Sequence, residues 1–286
     1  MQPTVNRRSP RPTTAISIRM LVSGAFLQAL VFATFGAATA GIQGASADDS
    51  SASVALFSAG NGSIPQSWEA MTFPKIKEHT HYKAVRETEN GPWIVEASSQ
   101  AGAAGLMHRT QIDIVRTPVL RWRWKVEGVL LKGDARTKEG DDYPARVYLI
   151  FDPDLDELTF FQRAGLRVAR GLYGDVPGRA ISYLWASQLE QGAVVDSPYA
   201  GSFAKLVAVK SGDADAGAWH VETRDVAADY RRLFGSEPAP LVGVAIMTDS
   251  DDTKEAVRAW YGDIRFLSRD ELSRDELSGE DALDAN

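Results

Sequence analysis

The chain has no cysteine among its 286 residues. This absence excludes disulfide bonds and lipid attachment through a cysteine, so a folded domain must depend on its apolar core. Three signatures of catalytic and nucleotide-binding proteins are also missing: the Gly-x-Ser-x-Gly elbow, a glycine-rich phosphate loop before a lysine, and the His-Glu-x-x-His metal helix. The sequence therefore carries none of these standard marks of an enzyme.

The first 47 residues have the pattern of a secretory signal. Four arginines precede the segment MLVSGAFLQALVFATFGAATA, which is apolar and uncharged. Small residues at the spacing of a cleavage site end at Ala40 and at Ala47. We expect cleavage after residue 40 or 47 and a periplasmic or secreted protein. An uncleaved run would instead form a single membrane anchor.

The net charge is acidic, with 38 Asp and Glu against 31 Lys and Arg, or −7. Loss of the signal removes four arginines and no acids, which changes the net charge from −7 to −11. An acidic exported domain is a poor candidate for binding nucleic acid or anionic membranes. We therefore expect no nucleic-acid partner, and membrane contact only through an uncleaved signal segment.

Residues 48–267 are predicted to form one all-β domain, because most of this region alternates apolar and polar residues between turn-rich joints. The pattern favours a jelly-roll-like, two-sheet antiparallel sandwich, with an up-and-down barrel as the alternative. The predicted strands are VALF, HYKAVRE, WIVEAS, GLMHRTQIDI, VLRWRWKV, ARVYLIFD, AISYLWAS, KLVAVKS, AWHVETRDV, LVGVAIMTD and AVRAWYGDIRFL.

Two helices interrupt the strands. The segment LDELTFFQRAGLRVARGLYG at 155–174 has helical spacing and predicts an inserted helix. The segment DVAADYRRLFG predicts a short second helix with Asp225 as N-cap and Gly235 at its end. Residues 268–286 are acidic, lack aromatics and are expected to be disordered or to form a short solvated helix.

The strand VLRWRWKV predicts a central strand with two different faces. Trp122, Trp124 and Val126 fall on one side, and Arg123 and Lys125 fall on the other. We expect the first set to fill the space between the sheets and the second to belong to a polar face.

Other predicted strands also carry polar residues at every second position, on the face opposite their apolar residues. The candidate ligand-binding residues are Arg123, Lys125, Arg146, Tyr148, His220, Glu222 and Arg224. They could form ion pairs across strands. They could also bind a sugar chain, since an arginine fork matches a uronate carboxylate. We expect four of them to meet on one surface: Arg123, Lys125, Arg146 and Glu222.

Two acidic segments, KEGDDY and MTDSDDTKE, predict a calcium site. Its candidate ligands are Asp141, Asp142, Asp249, Asp251 and Asp252. The pattern is not that of a helix–loop–helix calcium loop, because Lys254 replaces the glycine and Trp260 replaces the bidentate glutamate. If both segments lie at one end of the sandwich, the carboxylates need a cation or Arg146 nearby. The alternative is an Asp-rich turn held by hydrogen bonds to the backbone.

Six motifs in order resemble the bacterial exported family catalogued as domain of unknown function 3047. They are LRWRWKVEG, KEGDDYPARVYLIFD, ISYLWAS, AWHVETRDVAADYRRLFG, VAIMTDSDDT and AWYGDIRF. The resemblance covers residues 57–267 and implies a single exported domain of Gram-negative bacteria, but no activity. The strand arrangement is also similar to galactose-binding-like jelly rolls such as carbohydrate-binding modules.

Three functions are consistent with the sequence. The first is a non-catalytic binding module for a glycan or another cell-envelope polymer. The second is an enzyme, a lyase or hydrolase, acting on an acidic polysaccharide, with an arginine on the uronate and Tyr148 or His220 moving the proton. The third is a structural or interaction protein of the envelope.

The N-terminal prediction can be tested on exported protein. Mass spectrometry should find a mature chain beginning at Gly41 or Asp48, because the cleavage sites precede these residues. Membrane-bound mature protein that still contains MLVSGAF would instead show that the apolar segment is an anchor.

Overall fold

The computed structural model describes residues 52–152 and 178–278, together with Arg163. Within these residues the chain forms thirteen strands, a short 3-10 helix at Phe57–Ala59 and two α-helices, α1 at Val226–Phe234 and α2 at Arg269–Ser278. The strands are β1 Ala52–Ala55, β2 Trp68–Met71, β3 His81–Arg86, β4 Trp93–Gln100, β5 Ala103–Ile112, β6 Val119–Val126, β7 Ala145–Phe151, β8 Arg179–Ala186, β9 Val194–Ser197, β10 Gly201–Ser211, β11 His220–Asp225, β12 Leu241–Asp249 and β13 Ala256–Leu267.

The strands form the predicted two-sheet sandwich. The six-stranded sheet has the order β11-β6-β13-β4-β3, with β1 also paired to β13. The seven-stranded sheet has the order β2-β5-β12-β7-β8-β10-β9. One pair departs from the antiparallel prediction, since β8 and β10 are parallel. The chain passes from β8 to the edge strand β9 and returns as β10 between them, which gives β10 the direction of β8.

Most predicted elements appear in the structure within a few residues. The prediction missed β2 and β9, because four residues are too few to show alternation. Helix α1 begins as predicted, with the Asp225 carboxylate accepting from the Ala228 N–H at 2.8 Å, and Gly235 follows it at φ 68°. The helix predicted at 155–174 falls outside the described residues, apart from Arg163.

The core lies between the sheets and is rich in aromatic rings. Trp122 and Trp124 of β6 are completely buried, which confirms the predicted inner face of this strand. Trp122 stacks on Tyr183 at 5.4 Å between ring centroids, and Trp124 contacts Trp185 at 5.9 Å. These contacts join the two sheets at their centre.

The helices contribute little to this core. Helix α1 packs Val226 and Tyr230 against it, whereas α2 is acidic in its first turn. Among the described residues, no helix combines the length and apolar character needed to cross a membrane.

The tryptophan layer predicts a large loss of stability for one truncation. Trp122→Ala should lower the free energy of unfolding by about 3 to 5 kcal/mol, because it removes a buried aromatic and leaves a cavity. Denaturant unfolding measures the change, with Val115→Ala as control because Val115 is 61% exposed. The control should stay within about 0.5 kcal/mol. A similarly small loss for Trp122→Ala would contradict this account of the core.

Candidate functional site

The candidate site lies on the outer face of the seven-stranded sheet. Val147 and Leu149 of β7 face the core, so Arg146 and Tyr148 point outward by alternation. A pocket opens there against the loop that follows β9. We call it the acidic pocket, and its polar lining residues are Asp141, Arg146, Tyr148, Ser197, Tyr199, Asp249, Asp251 and Asp252.

The antiparallel pairing of β7 and β12 creates this pocket. Arg146 lies opposite Met247, so the residues before β7 and those after β12 reach the same end of the sheet. The two acidic segments leave the strands at this point. The two acidic segments therefore meet at one end of the sandwich, which is the condition that the calcium hypothesis required, and this follows from strand pairing rather than from sequence proximity.

A buried ion pair forms the base of the pocket. Arg146 and Asp249 are 4% and 2% exposed, and Arg146 Nη2 donates to Asp249 Oδ2 and to Met247 Sδ. The guanidinium carbon lies 4.9 Å from the ring centroid of Tyr143 and 5.2 Å from that of Tyr148. Burial alone would lower the pKa of Arg146, but Asp249, Tyr148, Asp141 and Tyr143 together outweigh burial and raise it. Arg146 is therefore a fixed positive charge.

Asp141 lies beside this pair in a different environment. Its Oδ1 accepts a hydrogen bond from the Tyr143 hydroxyl at 2.8 Å. Burial raises the pKa of Asp141 to about 7, although Arg146 and the Tyr143 hydroxyl oppose the shift. The pocket therefore holds a carboxyl group that binds protons near neutral pH.

The other three acids form a cluster that could hold a metal ion. One oxygen each of Asp142, Asp251 and Asp252 lies within 4.8 Å of the other two. Asp142 is completely buried, and its Oδ2 accepts from the Thr253 N–H at 2.6 Å. Its Oδ1 has no hydrogen-bond partner among the described residues. A buried oxygen without a partner needs an explanation, and a bound ion is one. We call these three residues the Asp triad.

The three carboxylates of the Asp triad repel one another. Burial, together with the carboxylate of Asp142, raises the pKa of Asp251 to about 6. Burial also raises the pKa of Asp252, whose Oδ2 accepts from the Tyr199 hydroxyl at 2.9 Å. Both shifts show that negative charge is disfavoured here, and a cation would remove that penalty.

The calcium prediction is therefore only partly matched by the geometry. It named five ligands, and the structure brings three of them together. Asp249 pairs with Arg146 and Asp141 accepts from Tyr143, so these two lie outside the group of three acids that could share one ion. The alternation of residues along the chain cannot show which acids lie beside Arg146 and which form the Asp triad, because that depends on which aspartate contacts the arginine.

The predicted meeting of Arg123, Lys125, Arg146 and Glu222 on one surface is wrong. Arg123 and Lys125 lie on the outer face of the six-stranded sheet, whereas Arg146 belongs to the other sheet. Arg123 pairs there with Glu87 at 2.8 Å. The outer faces of β6 and β7 were predicted correctly, but the sequence does not determine to which sheet each strand belongs.

The polar side chains of strand β11 lie on the opposite face of the sheet to the one predicted. His220 lies opposite Trp124 and Glu222 opposite Trp122, so these polar residues face inward with the tryptophans. Trp124 Nε1 donates to Glu222 Oε1 at 3.2 Å, and burial raises the pKa of Glu222. β11 is an edge strand, so its inward polar side chains are only half-buried.

Arg224 shares this inward orientation. It lies opposite Leu120 of β6, and its guanidinium binds both carboxylate oxygens of Asp229 on α1. The Tyr183 hydroxyl donates to the same carboxylate at 2.9 Å. Arg224 therefore attaches the helix to the sandwich, and of the predicted ligand-binding residues only Arg146 and Tyr148 reach the acidic pocket.

Sequence reasoning did not identify Tyr143, Thr253 and Tyr199 as site residues with these roles. Tyr143 and Thr253 are each one residue away from a member of the Asp triad, so proximity to the acidic segments was the available signal. Tyr199 follows the missed strand β9, and its role depends on a chain crossing that alternation does not reveal.

The fold and the pocket define an all-β sandwich domain with a buried acidic cluster on one outer sheet face. This chain belongs to the family described as "Protein of unknown function (DUF3047)", which it matches over residues 66–265. The comparison with curated proteins found no match.

Several solved structures are similar to this chain. The family 11 carbohydrate-binding module of cellulase Lic26A-Cel5E of Clostridium thermocellum has a TM-score of 0.40 at 9% identity, over 77% of this chain and 95% of that one. The family 30 module of cellulase Cel9D-Cel44B of the same organism gives 0.35 at 10%, over 77% and 99%. The carbohydrate recognition domain of Emp47p gives 0.39 at 12%, over 79% and 99%. At such identities the likeness concerns the fold, and function must be argued from this chain's own residues.

The buried pair predicts a strong effect of one substitution. Arg146→Ala should lower the free energy of unfolding by about 3 to 5 kcal/mol, because Asp249 remains buried without its partner. Arg136→Ala is the control, since Arg136 is 55% exposed in its pair with Asp134. Its loss should not exceed about 1 kcal/mol. If denaturant unfolding showed equal losses of unfolding free energy for Arg146→Ala and Arg136→Ala, the central role of Arg146 would be contradicted.

Proposed function

We propose that this chain is an exported, non-catalytic carbohydrate-binding module that holds a calcium ion in the Asp triad. The observation that carries the proposal is the unpartnered, buried Oδ1 of Asp142 beside the carboxylates of Asp251 and Asp252. This arrangement leaves a cation site at the side of an open pocket rather than inside a closed core.

The chemistry of the Asp triad favours calcium. All three donors are carboxylates, and hard oxygen ligands suit Ca²⁺ better than softer metals that prefer nitrogen or sulfur. Calcium takes about six to eight oxygens, so three aspartates leave coordination positions for other oxygens. Exported calcium-binding modules operate with dissociation constants of about 10⁻⁴ to 10⁻³ M, which suits a site of this modest size.

The pocket beside the triad suits a hydroxyl-rich ligand. Neighbouring hydroxyls of a sugar can complete the coordination of a calcium ion, because they are neutral oxygen donors. Tyr199 joins the two parts, since its hydroxyl donates to Asp252 while its ring lines the pocket.

The arrangement supports binding better than catalysis. The enzyme hypothesis placed Tyr148 or His220 as the group that moves a proton near an arginine. Burial raises the pKa of Tyr148, so its hydroxyl stays protonated at neutral pH and is a poor base. His220 belongs to the other sheet and faces Trp185 in the core. Tyr148 therefore lies beside an arginine without being a base, and His220 does not reach the acidic pocket.

The proposal predicts a calcium-dependent gain in stability. Calcium at about 100 times its dissociation constant should stabilise the native state by about 2.7 kcal/mol and raise Tm, because the unfolded chain lacks the site. Asp142→Asn should remove this response, since it replaces the buried anionic ligand. Asp196→Asn is the control, because Asp196 is exposed and lies outside the Asp triad.

The sugar part of the proposal is tested on the same proteins. A glycan array of neutral sugars with calcium should show binding that chelator removes and that Asp142→Asn abolishes, and the bound glycans should not be cleaved. Product formation would favour the enzyme, and silence with a recovered protein partner would favour the interaction protein. A Tm that responds neither to calcium nor to chelator would overturn the calcium site.

A further inference from the structure

A second surface with its own pattern lies on the opposite side of the sandwich. On the outer face of the six-stranded sheet, Lys125 lies opposite Trp260, and Trp260 lies opposite Glu96. Glu96 in turn lies opposite Lys83 on β3. Trp219 directly precedes β11, and the same register places it beside Lys125. We call these five residues the tryptophan row: Trp219, Lys125, Trp260, Glu96 and Lys83.

The centre of the tryptophan row is one cation between two aromatic rings. The Lys125 ammonium lies 4.5 Å from the ring centroid of Trp260 and 5.3 Å from that of Trp219. Both rings are half-buried, so part of each remains open to solvent. Such contacts are favourable but weak at the surface, and they leave the ammonium able to bind an anion.

Lys125 differs from its charged neighbours in having no acidic partner. Arg123 pairs with Glu87 at 2.8 Å, and Lys83 pairs with Glu96 at 2.9 Å. The contacts of Lys125 are with the two tryptophan rings, and no carboxylate among the described residues pairs with it. The Lys125 ammonium is therefore available to pair with an acidic group of a ligand at this position.

The surrounding residues hold the tryptophan row in place. Trp260 Nε1 donates to Glu96 Oε2 at 3.1 Å, which fixes the orientation of the ring. A Cβ at Gly262 would lie 2.5 Å from Arg123 Cγ and Nε, so glycine is what lets Arg123 lie flat on the sheet. The Arg123 guanidinium then lies 4.5 Å from the Trp219 ring centroid. The row is thus preorganised, which lowers the cost of binding.

We propose that the tryptophan row binds an extended acidic polysaccharide. The rings of Trp219 and Trp260 contact the apolar faces of sugar rings, and the Lys125 ammonium pairs with a uronate carboxylate. The row crosses five adjacent strands, which span about 19 Å at the usual strand spacing. This length suits a chain of several sugars rather than a single one. The surface is separate from the acidic pocket and needs no calcium.

The test uses the mature chain with polygalacturonate in the presence of chelator, and with dextran as a neutral polymer. Tryptophan fluorescence and calorimetry should show binding to polygalacturonate that weakens with salt. Lys125→Gln should weaken it by about tenfold, the loss expected for one charge-assisted contact. Trp260→Ala should weaken it at least as much. Lys205→Gln is the matched control, because Lys205 pairs with Asp196 on the other sheet.

Folding is checked separately, since Trp260→Ala removes a large ring. Lys125→Gln keeps both rings, so an unchanged Tm with weakened binding assigns the loss to the ligand contact. Binding should persist in Asp142→Asn, which distinguishes this surface from the calcium pocket. Absence of polygalacturonate binding by the natural sequence, or equal affinity in Lys125→Gln and Lys205→Gln, would overturn the proposal.

Discussion

The ion pair between Arg146 and Asp249 is the interaction on which the acidic pocket depends. It joins β7 to β12 at the end where both acidic segments leave the sheet. Without the arginine, Asp249 would be a buried carboxylate among other carboxylates, which is strongly unfavourable. The pair therefore neutralises one acid and lets Asp142, Asp251 and Asp252 approach one another.

A network of neutral hydrogen bonds supports this pair from inside the sandwich. The Tyr261 hydroxyl of the six-stranded sheet donates to the Met247 carbonyl at 2.7 Å and lies 2.8 Å from Thr248 Oγ1. Thr248 Oγ1 also donates to the Pro144 carbonyl. The Tyr82 hydroxyl accepts from the Thr248 N–H at 3.1 Å. These bonds fix both sheets at the pocket end, so the pocket rests on rigid strands rather than on loops alone.

The sequence predicted what depends on alternation and missed what depends on sheet order. Strands β6, β12 and β13 were predicted with their observed bounds, because each is a run rich in aliphatic and aromatic residues that ends at turn residues. The convergence of the acidic segments followed from a single antiparallel pairing. The separation of Arg123 from Arg146, and the inward orientation of β11, depend on which strands neighbour one another. Local sequence carries no information on that choice.

The same alternation separates stability from binding. On β6 the pleat buries Trp122 and Trp124 while it presents Arg123 and Lys125 on the outer face. Each strand therefore contributes to the core with one set of residues and to a surface with the other. The two outer faces of a sandwich are built on the same core but from different side chains. A substitution on one outer face therefore leaves the residues of the other face and the core beneath it unchanged. Arg146 is the exception, because a charge buried beneath a pocket serves both stability and the site, and its substitution cannot separate them.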